Sequence, residues 1–135
     1  MKTIVCYKVT IKNSSIILRD SRENCYCKHG VSYEIGKVTT PKIGKLYCFT
    51  SLEDAKDFTK NFTYFSHLPQ IFKGIGTNPK YMKLTATYYK DIESFWTKIK
   101  EKNNIMKSGM SITKLPHSSV CVDSFEPLFI VYGNV

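Results

Sequence analysis

The residues of this chain that could do chemistry are its thiols, imidazoles, carboxylates, amines and phenols. The tightest cluster is Cys25-Tyr26-Cys27-Lys28-His29. It holds the donor types of a zinc site, which needs four tetrahedral ligands, commonly from paired C-x₂-C motifs. Here the spacing is C-x-C-x-H, and only His67, His117 or another cysteine could complete the set. The cluster therefore reads as loop thiols, and no metal site is expected. Gly74-Ile75-Gly76-Thr77-Asn78-Pro79 has the look of a phosphate-cradling loop. It lacks the third glycine and the strand-turn-helix context, so it reads as a plain turn, with Lys73 beside it able to meet an anion. His29, His67 and His117 stand apart from any nucleophile motif. Glu53, Asp54, Asp57, Glu93 and Glu101 have capping or solvating roles on helix surfaces. Glu34, Asp123 and Glu126 are the carboxylates that could face a cleft. No catalytic residue is assigned and no cofactor is expected.

The strongest functional pattern interleaves tyrosines with lysines. Tyr33, Lys37, Lys42, Lys45 and Tyr47 surround one strand-turn-strand, and Tyr81 and Lys83 point outward from a later strand. Tyrosine rings can stack on a base while lysines neutralise phosphate, which is what a nucleotide or a single strand requires. With Glu34 added, the candidate ligand-binding set is Tyr33, Glu34, Lys37, Lys45, Tyr47, Tyr81 and Lys83. The competing account is that tyrosines are strand formers and lysines solvate a sheet edge.

The chain has 135 residues, 42% of them hydrophobic and 13% aromatic. That is the composition of one globular domain, 1–135, with enough apolar surface for its own core. The net charge of +9 is carried almost wholly by lysine, since only Arg19 and Arg22 are arginine among 20 basic residues. Arginine is the usual reader of bases and phosphates in bidentate geometry, so sequence-specific nucleic-acid recognition is not expected. The count of five cysteines is odd and no leader-like apolar segment opens the chain. Reduced thiols and an intracellular, cytoplasmic setting follow, with no membrane partner. Cys6, Cys48 and Cys121 lie in apolar runs, where a thiol acts as a small hydrophobe.

The elements that must position these residues follow from periodicity. Ile4 to Ile11 alternates, with Val5, Tyr7, Val9 and Ile11 on the buried face and Lys8 and Thr10 on the other. Asn13-Ser14 turns the chain into a second strand over 15–19. The stretch 20–30 reads as loop, Val31 to Ile35 as a short strand ended by Gly36, and Leu46 to Phe49 as another strand. Thr50-Ser51-Leu52-Glu53 fits a capping box, with Thr50 or Ser51 at the cap. A helix over about 51–62 follows, its stripe made by Leu52, Ala55, Phe58 and Phe62. The segment 67–79, with Pro69, Gly74, Gly76 and Pro79, reads as an ordered loop. Tyr81 to Tyr89 alternates as a strand, and a second helix over about 91–102 shows Ile92, Phe95, Trp96 and Ile99 at helical spacing. The segment 107–113 is polar. Runs at Ser119–Val122 and Leu128–Tyr132 are strands split by Pro127. The expected fold is α+β, a mostly antiparallel sheet of about six to seven short strands with two amphipathic helices.

Tyr33-Glu34-Ile35-Gly36 followed by Leu46-Tyr47-Cys48-Phe49-Thr50-Ser51-Leu52-Glu53-Asp54-Ala55 resembles a group of small phage and large-DNA-virus proteins. In that group a hairpin precedes a YxxG strand, and an aromatic strand leads into an S-L-E-x-A helix. Ser119 to Leu128 is similar to their final strand. The resemblance covers about half the chain and implies an α+β fold and a viral source, with no catalytic residue carried across. A weaker likeness is to ADP-ribosyltransferase-type split barrels, in which an aromatic strand also precedes an alanine-bearing helix. It implies a nicotinamide site built on His29, Tyr33 and Glu126.

The leading expectation is a non-enzymatic viral protein that binds an anionic ligand, most specifically a nucleotide or nucleotide-derived signal, through a Tyr/Lys-lined sheet face. The alternatives are a host-protein interaction module, as a homo-oligomer or otherwise, and an NAD-consuming transferase.

Overall fold

A computed structural model describes residues 1–11, 14–15, 31–42, 44–60, 69–82, 84–86, 112–114 and 117–133. The element order is β1 (Thr3–Ile11), β2 (Ser14–Ser15), β3 (Leu46–Phe49), α1 (Leu52–Thr59), β4 (Gln70–Thr77), β5 (Lys80–Tyr81), β6 (Leu84–Ala86), β7 (Ile112–Lys114), β8 (Ser119–Val122) and β9 (Phe125–Tyr132). One seven-stranded sheet runs β5-β8-β3-β1-β4-β9, with β2 paired to β1, and β6 and β7 form a separate ribbon. All the ladders are antiparallel. The architecture is thus mostly antiparallel sheet with one short helix among the described residues. The second helix expected over 91–102 lies outside them.

Two short connections dictate the shape of the sheet. Asp123 and Ser124 join β8 to β9, although β3, β1 and β4 stand between those strands in the sheet. Asn78 and Pro79 likewise carry the chain from β4 to β5 on the far side of β8. Such short links cannot span a flat sheet with strands about 4.8 Å apart, so the sheet curls until its two sides meet. Main-chain bonds close the junction: Thr77 N–H to Ser124 O at 3.1 Å, Asp123 N–H to Thr77 O at 2.9 Å, and Asn78 N–H to Lys2 O at 2.8 Å. Gly76 makes the approach possible, because a Cβ there would sit 2.6 Å from Cγ1 of Val122. At Gly74 a Cβ would lie 2.2 Å from the carbonyl oxygen of Glu126.

This explains the largest departure from the sequence reading. Residues 67–79 were expected to form a loop on the strength of their glycines and prolines. Gln70–Thr77 is instead a central strand, paired along its whole length with β1 and from Ile71 to Gly76 with β9. Its glycines are there for close backbone approach, a role that local composition does not separate from a turn.

The inner surface of the curl holds the core. Cys6, Leu46, Cys48, Phe72, Val120, Val122, Phe125 and Tyr33 form one buried cluster, with Ile4, Val31 and Ile130 packed against it. The outer surface is covered at one end by α1, where Phe58 meets Phe49 at 5.1 Å between ring centroids. Ala55 and Phe58 are buried there, as are Val9 and Ile71 of the sheet. The facing of β1 is the reverse of the expectation. Cys6, Lys8 and Thr10 point into the core, while Val5 is 50% exposed. Both faces of this strand are partly covered, so alternation alone could not name the inner one.

Smaller corrections follow. In the stretch 31–35 Ser32 alone makes a bridge; beyond it Gly36 N–H bonds Pro127 O at 2.8 Å and Thr39 bridges Phe125, so 36–39 lies as an irregular strap along β9. Pro127 does not divide the last strand. β9 runs through it, with register shifts against β4 that place Pro127 at an irregular position. The cap of α1 is Ser51, whose hydroxyl accepts from Asp54 N–H at 3.2 Å. The Thr50 hydroxyl turns away and donates to Ser118 O at 3.4 Å. The strand expected over 81–89 is broken, its described parts belonging to β5 and β6.

Candidate functional site

The Tyr/Lys set named from the sequence is dispersed by the fold. Tyr33 is in the core, 3% exposed, edge-on to Phe125 with ring centroids 6.0 Å apart. Tyr47 is likewise buried, in the middle of β3. Glu34 and Lys37 form an exposed i, i+3 pair at 3.0 Å on the strap. Lys45 is engaged by Asp123, whose other oxygen accepts from Asn78 Nδ2 at 2.9 Å. The Lys45 contact, then the Asn78 bond, hold the Asp123 carboxyl below its ordinary range. This trio pins the start of β3, the end of β4 and the end of β8 at the closing corner. Tyr81 is 64% exposed on the edge strand β5. Lys83 lies outside the described residues, as do Cys25, Cys27, His29 and His67. No group of three or more metal-ligating side chains that could hold an ion occurs among the described residues. Of the transferase-type set, Tyr33 is buried and Glu126 is half-buried on β9.

A different set of rings and amines is brought together on the outer face of the sheet beyond α1. The register aligns Tyr7 of β1 with Lys73 of β4, and Lys73 with Phe129 of β9. One step further, Ile71 is opposite Tyr132. Residues paired in this way share a face. Phe129 is 49% and Tyr132 42% exposed. The Lys73 ammonium stands 5.8 Å from the centroid of the Phe129 ring, and Lys56 of α1 stands 5.7 Å from that of Tyr132. Both are within cation–π range. Val5 and Ile75, paired to each other, continue the face, and Glu126 is opposite Ile75 at its rim.

Local rules account for each position. Lys56 lies in the last turn of α1, where a cation is favourable to the helix dipole. Ala55 and Phe58 dock the helix, and that docking carries Lys56 over the end of β9. Lys73 lies between Phe72 and Gly74, both buried on the inner face, so alternation turns it outward. Phe129 and Tyr132 are displaced by the register shifts in β9, which let two aromatics of one strand serve this face. Phe129 sits in the sequence run Leu128-Phe129-Ile130-Val131, which reads as uniformly apolar core. The +9 charge supplied the one signal that this face could be found by, and it carries no position.

Comparison with protein-family models, with curated proteins and with solved structures finds no match. Among the described residues no helix is long and apolar enough to cross a membrane.

Proposed function

We propose that the protein binds, without chemical turnover, an anionic ligand that carries a flat ring, in its most specific form a nucleotide or nucleotide-derived signal. The site is the outer face made by Tyr7, Lys73, Phe129, Tyr132 and Lys56. The observation that carries this reading is the pairing of two exposed aromatic rings of β9 with two lysine ammoniums, one from β4 and one from α1. Phe129 and Tyr132 offer stacking area at low entropic cost, and Lys56 and Lys73 sit where a phosphate attached to a stacked base would be neutralised. The overall positive balance draws anionic ligands toward the chain. Glu126 at the rim disfavours an anion at that end, so the phosphate belongs on the Lys56 side.

Calorimetry with ATP, ADP and inorganic phosphate tests the reading. Nucleotide binding should exceed phosphate binding, and Lys56→Glu with Lys73→Glu should weaken it at least about tenfold, since each lost phosphate contact also lowers the salt dependence. No heat with either nucleotide, or an affinity untouched by the double substitution, overturns it.

A second reading is self-association or protein binding through the same face, favoured by the exposed Val5 on β1 and Phe129 on β9, which flank β4 on it. Light scattering that returns only monomer at high concentration removes the self-associating form.

A further inference from the structure

The outer face carries one charged group that the ring and lysine pairs leave unused, the carboxylate of Glu126. The register fixes its place. Glu126 of β9 is opposite Ile75 of β4, and Ile75 is opposite Val5 of β1, so the three share this face. The irregularity between the Gly74–Pro127 and Lys73–Phe129 pairs inserts Leu128 into β9. That extra residue returns Phe129 to the same side as Glu126, while Pro127 between them is buried on the inner side. On the other flank Thr39 bridges Phe125 and Gly36 bonds Pro127, which brings Val38 of the strap alongside. Glu126 is thus half-buried in an apolar frame of Ile75, Val5 and Val38. Among the described residues its carboxylate makes no hydrogen bond and no ion pair. The nearest lysine of the strap, Lys37, is taken by Glu34.

Resting on the nucleotide reading of this face, we infer that the bound ring is guanine and that Glu126 reads it at its Watson–Crick edge. An ionised carboxylate is an acceptor only, with two oxygens side by side. Guanine presents two adjacent donors on that edge, N1–H and the N2 amino group, and so meets both oxygens at once. Adenine sets its N1 lone pair against the carboxylate, and cytosine its N3 lone pair. Uracil flanks its single N–H with two carbonyl oxygens. The carboxylate therefore attracts guanine and repels the other bases, and specificity comes from both effects. The apolar frame limits the water that could compete for the pair.

The order of groups along the face fits one orientation of the ligand. Lys73 and Phe129 form the row beside Glu126, two residues or about 7 Å along β4 from Ile75. Tyr132 is opposite Ile71, four residues or about 13 Å from Ile75. A purine stacked on Phe129 with its Watson–Crick edge toward Glu126 turns its sugar toward Tyr132. The phosphates then come to the Lys56 ammonium, 5.7 Å from the centroid of the Tyr132 ring. Lys73 is left beside the junction of sugar and phosphate. A ribose diol is the other nucleotide group that a carboxylate holds well. It lies between base and phosphate, however, whereas Glu126 stands at the end of the row away from Lys56.

Calorimetry on the full chain with GTP, ITP and ATP tests the assignment. GTP should bind about tenfold more tightly than ATP, the worth of one bidentate pair on a base edge, with ITP, which lacks the N2 amino group, between them. Glu126→Gln, checked for folding by circular dichroism, should bring GTP to the level of ATP. ATP itself should bind as before or more tightly, because a negative charge is gone. Equal affinities for GTP and ATP in the wild type, both weakened by Lys56→Glu with Lys73→Glu, overturn the guanine assignment and leave the nucleotide site standing. No heat with any of the three overturns both. A preference for GTP that survives Glu126→Gln overturns the role of Glu126. Equal weakening of GTP and ATP by that substitution overturns it too, since the carboxylate would then hold the ribose.

Discussion

Lys8 of β1 and Tyr47 of β3 are joined by a 2.6 Å hydrogen bond from the lysine ammonium to the main-chain carbonyl, inside the core. The bond replaces part of the hydration that burial removes and ties together two strands whose ladder has one paired position, Tyr7 with Phe49. Lys8→Glu puts a carboxylate against that carbonyl and should cost about 3–5 kcal/mol, the penalty of an uncompensated buried charge. Lys8→Met keeps the volume of the stem, removes the desolvated charge and should leave the chain folded. Urea denaturation of both variants checks the order.

Gly74 and Gly76 are required by the closing of the sheet. Gly76→Ala should destabilise by about 1–3 kcal/mol, because Val122 must shift. Gly74→Ala should cost more, since the atom in the way is the Glu126 backbone oxygen, which cannot rotate aside. Equal and negligible losses in denaturant midpoints would contradict this packing.

Asp123 sets a pH dependence. Its folded carboxyl lies below its ordinary value because of Lys45 and then Asn78. A group depressed in the folded state stabilises above its unfolded pKa, near 3.9, and that stability is lost as pH falls through the folded value. The Lys45–Asp123 pair is substantially exposed, so its share is below about 1 kcal/mol. Wild type minus Asp123→Asn stability should be constant from pH 7 to about 5 and shrink below about 4. A difference that grows toward low pH would refute the assignment.

Ser51, rather than Thr50, carries the cap of α1. Ser51→Ala should cost about 1 kcal/mol, and Thr50→Ala, which loses only the long bond to Ser118, less. Asp54 adds to the effect, since Ser118 Oγ also donates to its carboxylate at 2.6 Å. Thermal melts of the two variants rank them directly.

Phe129→Ala tests the outer face without touching the core. Its ring is half-exposed and held by Lys73, so stability should change by no more than about 0.5 kcal/mol. Nucleotide affinity should fall by about 1–3 kcal/mol, the worth of one stacked base, as read by calorimetry.

Local pattern was enough for β1, β3, β8 and α1. Each of these has a short-range signature: alternation in Ile4–Ile11, apolar runs at Leu46–Phe49 and Ser119–Val122, and helical spacing behind a hydroxyl cap. The burial of Cys6, Cys48 and Cys121 was equally legible, because an apolar context is written in the neighbouring residues. For β4 the same reasoning failed, since Gly74 and Gly76 look like turn formers until Val122 and the Glu126 carbonyl are brought against them. The candidate face was invisible for a related reason. Lys56, Lys73, Phe129 and Tyr132 come from three elements, and only the β4–β9 register and the docking of α1 make them neighbours.

By itself, then, the amino-acid order determined the α+β character, the first helix behind a hydroxyl cap at Thr50 or Ser51, and the presence of buried thiols, because these depend on interactions within a few residues. Only the tertiary structure decided which face of β1 is inside, that Tyr33 and Tyr47 are core while Phe129 and Tyr132 are surface, and that Lys8 is buried against the Tyr47 carbonyl. Those outcomes depend on the curl imposed by the short links at Asn78–Pro79 and Asp123–Ser124. The constraint acts between strands far apart in the chain, and no local period records it.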